Sequence, residues 1–453
     1  MDVKLDINQF FQASNPARGI NMTHAEDRRY YIDFASVRGG KLTEQLKRTI
    51  TRLSPDEPTY QLFTGHIGCG KSTELLRLQG ELEAEGFHVV YFESSHDLDM
   101  ADVDITDILL SIARKVSESV EKLKIQLQPQ GFKNLLQGVA QMLKTQIDLS
   151  AELTVPGVGT MSGNTEGEFS LSAGIAKITT KTRDAPNLRS QLRQYLEPRT
   201  NTILQAINQE LLEPAIRQLK ERGKQGIVVI IDNLDRVDST VKPTGRTQPE
   251  YLFVDRGDQL NRLKCHVVYT IPLVLIFSND LSQLSNRFGI EPKVLPMVPV
   301  HQPDGSVCEE GMVLLQQMVM ARAFPQVEPA QRLQLIPQIF EEPETLDQLC
   351  SISGGHLRFL LVLLYSCLQR EDPPISRESL EAVIQQRRHQ LTLAIDENEW
   401  ELLRQVARTK SVSGELGYQT LLKSMFVFEY RYRQEFWFDI NPILKGTKEF
   451  KQA

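Results

Sequence analysis

The chain has 453 residues, with 51 Lys and Arg against 58 Asp and Glu and a formal net charge of −7. That length holds two or three domains with room for a real core, and the acidic balance argues against a mainly electrostatic binder of nucleic acid or membrane surface, local basic patches aside. The five cysteines Cys69, Cys265, Cys308, Cys350 and Cys367 lack zinc-ligand or C-x-x-C spacing, the N-terminus has no signal-peptide core, and no uninterrupted apolar run reaches about 18 residues, so a cytoplasmic protein without a membrane span is expected.

In chain order, residues 8–21 read as loop. Tyr30-Tyr31-Ile32-Asp33-Phe34, Val37-Arg38-Gly39-Gly40 and a helix-like Leu42, Leu46, Ile50 spacing follow. Lying just before the segment described next, Tyr30, Tyr31 and Arg38 are candidates to cover a nucleotide base; a strand and helix packed on the core is the plainer alternative.

Tyr60 to Thr73 reads as a buried strand, a tight turn and the first turn of a helix. Within it Gly65-His66-Ile67-Gly68-Cys69-Gly70-Lys71-Ser72-Thr73 matches G-x-x-x-x-G-K-S/T at every fixed position. Such a loop turns backbone N–H groups toward phosphates, adds the partial positive charge of a helix N-terminus, places Lys71 on the β- and γ-phosphates and offers Ser72 as a magnesium ligand. Thr73 to Glu85 should be helix, His88 to Phe92 a strand and Asp104 to Lys124 a helix, the rhythm of a parallel sheet with helices on its faces.

Residues 125–185 break this rhythm. A helix is predicted from Gly131 to Thr145. Leu149, Ala151, Leu153, Val155 and then Phe169, Leu171, Ala173, Ile175 alternate with polar residues around a glycine-rich centre, which predicts a β-hairpin inserted at 146–183: a surface hairpin, or a contact device for a partner or neighbouring subunit. Residues 187–222 return to helix, interrupted at Pro198 and Pro214.

Gly226 to Asp232 predicts a fully buried strand with a carboxylate at its C-terminal edge, where ligands of open α/β sheets sit. Asp232 is therefore a candidate magnesium holder. His266 to Thr270 is another strand, with Thr270 at the edge as a candidate contact to the γ-phosphate or attacking water. Arg287 lies just before a last strand, Lys293 to Val298. From Glu310 the pattern is helical: 312–323, 330–340, 344–349, 357–369 and 376–393. Arg358 in a first helical turn works against the macrodipole and is read as facing the nucleotide, with a simply exposed arginine as the alternative. Helices at 397–408 and 418–425, then a hairpin of 426–430 and 435–440, suggest a winged-helix module. Its acids and bases balance, so a protein-contact or structural wing is favoured over DNA reading, which Arg431 and Arg433 at the hairpin tip leave open.

Together these segments resemble the AAA+ and STAND group of P-loop ATPases, particularly the origin-recognition-like branch, over roughly residues 30–445 with the 125–185 stretch unmatched. The resemblance implies a parallel P-loop sheet with helices on both faces, residues 1–302, followed by a helical lid, 303–395, and a winged-helix-like module, 396–453. It also implies ATP and Mg, and homo-oligomer assembly controlled by nucleotide. Thr270 looks like the strand-end sensor, Arg358 like the lid arginine, and Arg287 like a finger entering a neighbouring subunit's site. The group commonly ends its acidic strand in Asp-Glu, whereas this chain has Asp232-Asn233. Asn233 has no basic form, though it can orient a water; Asp235, in a spacing resembling Asp-x-x-Asp ATPases such as the KAP group, is the expected water-activating base. The function expected is an ATP-binding and ATP-hydrolysing switch controlling assembly or partner binding. The alternatives are a DNA-binding ATPase and a nucleotide-dependent scaffold with little turnover.

Overall fold

A computed structural model describes residues 4–143, 170–183 and 185–451. Five parallel strands, β1 (Tyr60–Gly65), β2 (His88–Glu93), β3 (Ile227–Asp232), β4 (His266–Thr270) and β5 (Lys293–Leu295), form a sheet in the order β2-β3-β4-β1-β5. β3 is buried along its whole length, as its run of β-branched residues demands. Parallel pairing aligns the C-terminal strand ends along one edge, with Glu93 opposite Asp232 in register. β4 separates the strand carrying the glycine-rich turn from the acidic strand.

Successive strand residues point to opposite faces, and two cores result. Phe63, Val228, Ile230 and Val268 pack under the helix Lys71–Ala84 through Leu75, Leu78 and Leu82. Leu62, Val229, Ile231 and Tyr269 pack against Ile105–Lys122. That second helix opens on a capping box between Asp104 and Asp107, which satisfies N–H groups that the helix itself leaves orphaned.

The first core does not end at the sheet. It continues through the helices Glu309–Ala323, Pro343–Ile352, Leu357–Leu368 and Arg377–Thr392, then through Glu397–Thr409 and Leu416–Lys423. It ends in an antiparallel hairpin, β6 (Val427–Tyr432) and β7 (Glu435–Ile440). Pro198 and Pro214 fall at changes of helix type, as expected.

Several expectations are corrected. Residues 7–13 form a helix capped by Asp6 rather than loop. Residues 30–34 are not a strand, and a 3-10 turn at Ala35–Val37 follows them. β5 stops at Leu295, and Met297 donates instead to the Glu429 carbonyl at 2.9 Å, bridging to β6. The second arm of the predicted hairpin is a helix, Leu171–Arg183, with Leu171, Ile175, Ile178 and Thr182 buried at helical spacing. The first arm, Leu149 to Val155, lies outside the described residues. Among the described residues no helix is long and apolar enough to cross a membrane.

Candidate functional site

The turn after β1 runs straight into the helix that begins at Lys71. Gly68 sits at φ +86°, and a Cβ there would lie 2.9 Å from the His356 Nε2 and the Arg358 Cβ. A side chain is therefore excluded twice, by conformation and by the approach of the helix Leu357–Leu368. That approach is hydrogen-bonded: the Arg358 N–H donates to the Gly68 carbonyl at 3.2 Å, and the His356 Nε2 lies 2.7 Å from the Ile67 carbonyl. Because His356 Nδ1 accepts from the Phe359 N–H as the helix cap, Nε2 carries the proton. From below, His66 Nε2 accepts from the Glu429 N–H of β6 at 3.1 Å, and the Phe428 ring packs on both histidines.

Lys71 is folded back into the turn, its ammonium 2.7 Å from the Gly65 carbonyl, 2.9 Å from the His66 carbonyl and 3.0 Å from Asp235 Oδ2. Burial works against that charge, but the Asp235 carboxylate more than offsets it, and the ammonium is held above its ordinary range. Asp235, itself buried, keeps a second oxygen, Oδ1, without a hydrogen-bond partner.

The end of β3 is equally built. Asp232 accepts from the Tyr91 hydroxyl at 2.8 Å and from the Asn233 N–H at 2.7 Å. Ser72 and Asp232, the two side chains expected at magnesium, line the same cavity. Asn233 takes φ +65°, a left-handed geometry that Asn tolerates better than most residues. It sends its Nδ2 to Glu93 Oε2 at 2.8 Å and to Ser95 Oγ at 3.2 Å.

Lys71, Ser72, Glu93, Asp232, Asn233 and Asp235 line one cavity of about 640 Å³. Ser72, Thr73, Asp232, Asn233, Asp235 and Arg358 converge at its phosphate-loop end, where Ile67, Gly68 and Gly70 also line it. Arg358 and the nearby Arg236 both face it; burial, then Arg236, pushes the Arg358 guanidinium down, the response of a cation lacking an anion. The rest of the wall comes from the lead-in segment, including Tyr30 and Tyr31, and from Met318, Arg322 and Leu361. Arg322 is nearly fully buried, donates to the Ala13 carbonyl, lies 5.4 Å from the Tyr30 ring centroid and leaves Nε without a partner.

Four expected site residues are engaged elsewhere. Arg38 borders the cavity, but its guanidinium is spent on the Pro296 and Cys69 carbonyls at 2.7 and 2.9 Å, so it braces the turn instead of reading a base. Thr270 is fully buried; its hydroxyl donates to the Ile231 carbonyl and accepts from the Leu234 N–H, tying β4 to the end of β3 without facing the cavity. Cys69 is buried beneath the turn, its thiol 3.6 Å from the Leu295 carbonyl. Arg287 lies outside the cavity, on the helix Leu281–Phe288, 3.6 Å from Asp258. Tyr91, Glu93, His356 and Arg322 went unread in the sequence; a carboxylate closing a strand at the sheet edge was the available signal for Glu93.

Residues 41–244 match the family model described as the KAP family P-loop domain. No curated protein sequence matches the chain. Among solved structures, the chain is similar to the Aeropyrum pernix ORC2 protein (13% identity, 90% of this chain and 91% of that one, TM-score 0.41). It is also similar to Cdc6p from Pyrobaculum aerophilum (12%, 99% and 99%, 0.38) and to a Walker-type ATPase of Pyrococcus abyssi (9%, 92% and 98%, 0.40). At such TM-scores these likenesses add nothing to the geometry. The parallel sheet, the phosphate-loop turn and the family match together make this chain a P-loop NTPase, with a domain similar to that of the KAP family over residues 41–244.

Proposed function

We propose that the chain binds ATP with magnesium in this cavity, hydrolyses it, and uses the change as a switch controlling self-assembly or capture of a protein partner. One observation carries the reading: the Lys71 ammonium is buried at the head of a cavity that Ser72 and Asp232 both line. The turn from Gly65 to Thr73 is the phosphate cradle. Arriving phosphates would take Lys71 from Asp235, which otherwise neutralises it. Ser72 and Asp232 fit magnesium, since a nucleotide-bound ion needs only one or two protein oxygens beside phosphates and water; when bound, it neutralises charge on the β- and γ-phosphates. Arg358 and Arg236 supply further positive charge.

The switch reading is supported by how the turn is held. His356 from the helical stretch 303–395 and Glu429 from the stretch 396–453 both bond it directly, so these two stretches, read as lid and C-terminal module, register whether the cradle is filled. Arg287, outside its own cavity, remains the candidate to reach a neighbouring copy's nucleotide. DNA binding by the C-terminal hairpin is not favoured: Arg431 pairs with Glu429 and lies over Phe436, and Arg433 lies over Tyr432. A DNA-binding chain would show steep salt dependence of binding.

Calorimetry with Mg-ATP on wild type and Lys71→Ala tests the assignment. Lys71→Ala should lose ATP binding by tenfold or more with unchanged circular dichroism; full affinity in that variant would remove the phosphate-loop assignment. Light scattering with and without ATP tests the switch, which predicts a different assembly state.

A further inference from the structure

We propose that Glu93, on β2, is the carboxylate that takes the proton from the water attacking ATP, with Asn233 as its positioning residue. The proposal rests on the ATPase reading above. Four carboxylates line the cavity: Glu74, Glu93, Asp232 and Asp235. Three are engaged. Glu74 accepts from the Tyr31 hydroxyl and from Arg77. Asp232 is held by Tyr91 and the Asn233 N–H beside Ser72, the magnesium position. Asp235 pairs with Lys71 at 3.0 Å and keeps Oδ1 free; arriving phosphates release it, so it is the rival base.

Glu93 differs. It closes β2 in register with Asp232 on the neighbouring strand, so its carboxyl leaves the same sheet edge beside the magnesium-holding acid. Its side chain is 37% exposed, which lets a proton pass on to solvent. Oε2 accepts from Asn233 Nδ2 at 2.8 Å and has His96 at 3.8 Å, while Oε1 receives no hydrogen bond from the described residues. A neutral amide fixes a carboxylate without a countercharge, and the left-handed turn at Asn233 aims it there. The chain thus carries an amide after its magnesium acid and a carboxylate on the adjacent strand, where that amide reaches it.

In the step, the water oxygen forms a bond to the γ-phosphorus as the bond from phosphorus to the β,γ-bridging oxygen breaks. That electron pair leaves with ADP. The water's proton passes to the free Glu93 oxygen and then to solvent, leaving inorganic phosphate.

The test compares Glu93→Gln, Glu93→Asp and Asp235→Asn in ATP calorimetry and single-turnover phosphate release on the full chain. Glu93→Gln should keep ATP affinity within about threefold and lose turnover by about 10²–10⁴-fold, the size of a lost general base. Glu93→Asp should recover part of it and keep the acidic limb of the pH–rate profile that Glu93→Gln lacks, which a purely structural residue would not. At saturating ATP Asp235→Asn should lose less turnover than Glu93→Gln; a larger loss in Asp235→Asn overturns the proposal. Turnover of Glu93→Gln within a few-fold of wild type overturns the proposal, as does a wild type that binds ATP but releases no phosphate; the latter leaves the ATP site standing. Undiminished affinity in Lys71→Ala overturns the ATP site itself.

Discussion

His66 and His356, on either side of the phosphate loop, are both held uncharged by the fold. Burial, then the neighbouring His356 and Lys71, drives His66 down to about 3. Burial drives His356 down to about 4, against its bond to the Ile67 carbonyl. A base whose folded value lies below its ordinary 6.5 contributes its full stability above 6.5 and loses it as pH falls toward the folded value. Between pH 7 and 5 each histidine therefore costs about 2 kcal/mol. Glu429, pushed up to about 6 by burial and only partly restrained by Arg431, runs the other way: its contribution is complete below 4.5 and is lost as pH rises through 6, so it returns about 1 kcal/mol on the same descent. The histidines win, and urea unfolding should show about 3 kcal/mol less stability at pH 5 than at pH 7. His356→Asn, which can still cap its helix, should shrink that loss by about 2 kcal/mol; an unchanged difference would refute the assignment. His66 stands inside the phosphate-loop motif, but neither His356 nor Glu429 is legible from the sequence as part of the site. Lys71 and Ser72 are, because their chemistry is contiguous in the chain. His356 and Glu429 arrive by topology, and nothing local to either announces the loop it touches.

Among the connecting elements, the turn Ser353–His356 decides whether the helix starting at Leu357 meets the phosphate loop. Gly355 has φ +71°, and a Cβ there would stand 1.6 Å from the Val298 carbonyl oxygen. Gly289, at φ +69°, closes the helix Leu281–Phe288 with nothing within 4 Å of such an atom. The two positions share conformational strain and differ in collision. Gly289→Ala should cost about 1–2 kcal/mol and leave ATP affinity alone. Gly355→Ala should cost about 3 kcal/mol or more, since the strain is joined by a forced backbone shift, and should weaken ATP binding because His356 and Arg358 move with it. Equal melting temperatures for the two variants would remove the collision argument. The strands of the parallel sheet were legible from their buried apolar runs, and most helices from their spacing, Ile7–Ala13 excepted. The misreading at Leu171–Arg183 has a plain cause: Leu171, Ala173 and Ile175 satisfy a period of two, while Leu171, Ile175, Ile178 and Thr182 satisfy the helical period over a longer window. Thr270 shows the converse. Its position at a strand end was read correctly, but a strand end fixes the backbone and not the direction in which a hydroxyl bonds.

The whole molecule is closed on itself around the nucleotide cavity. His66 and Glu429 are 363 positions apart and hydrogen-bonded. The core under β1 runs without interruption to Trp400, Leu403, Phe428 and Trp437. Composition could indicate three stretches of different character, but not that the last would lie beneath the phosphate loop, since that contact joins a backbone N–H of one edge strand to a side chain of a distant turn. The arrangement makes a sharp prediction about coupling. Phe428 is 1% exposed and does not line the cavity, yet its ring stacks on His356 at 5.8 Å and meets His66 edge-on at 5.8 Å. Trp400 is buried in the same core without either contact. Truncating either to Ala should cost about 3–5 kcal/mol of stability. If the hairpin merely fills space, the two variants should bind ATP alike once temperature is low enough to keep both folded. If it braces the loop, only Phe428→Ala should lose affinity, by tenfold or more, because the histidines on either side of Gly68 lose their shared support. By linkage the effect is reciprocal: ATP should then raise the melting temperature of Trp400→Ala as it does that of wild type, and raise that of Phe428→Ala by less. Calorimetry and thermal melts with saturating Mg-ATP separate the two, and equal affinities for the variants would reduce the hairpin to packing.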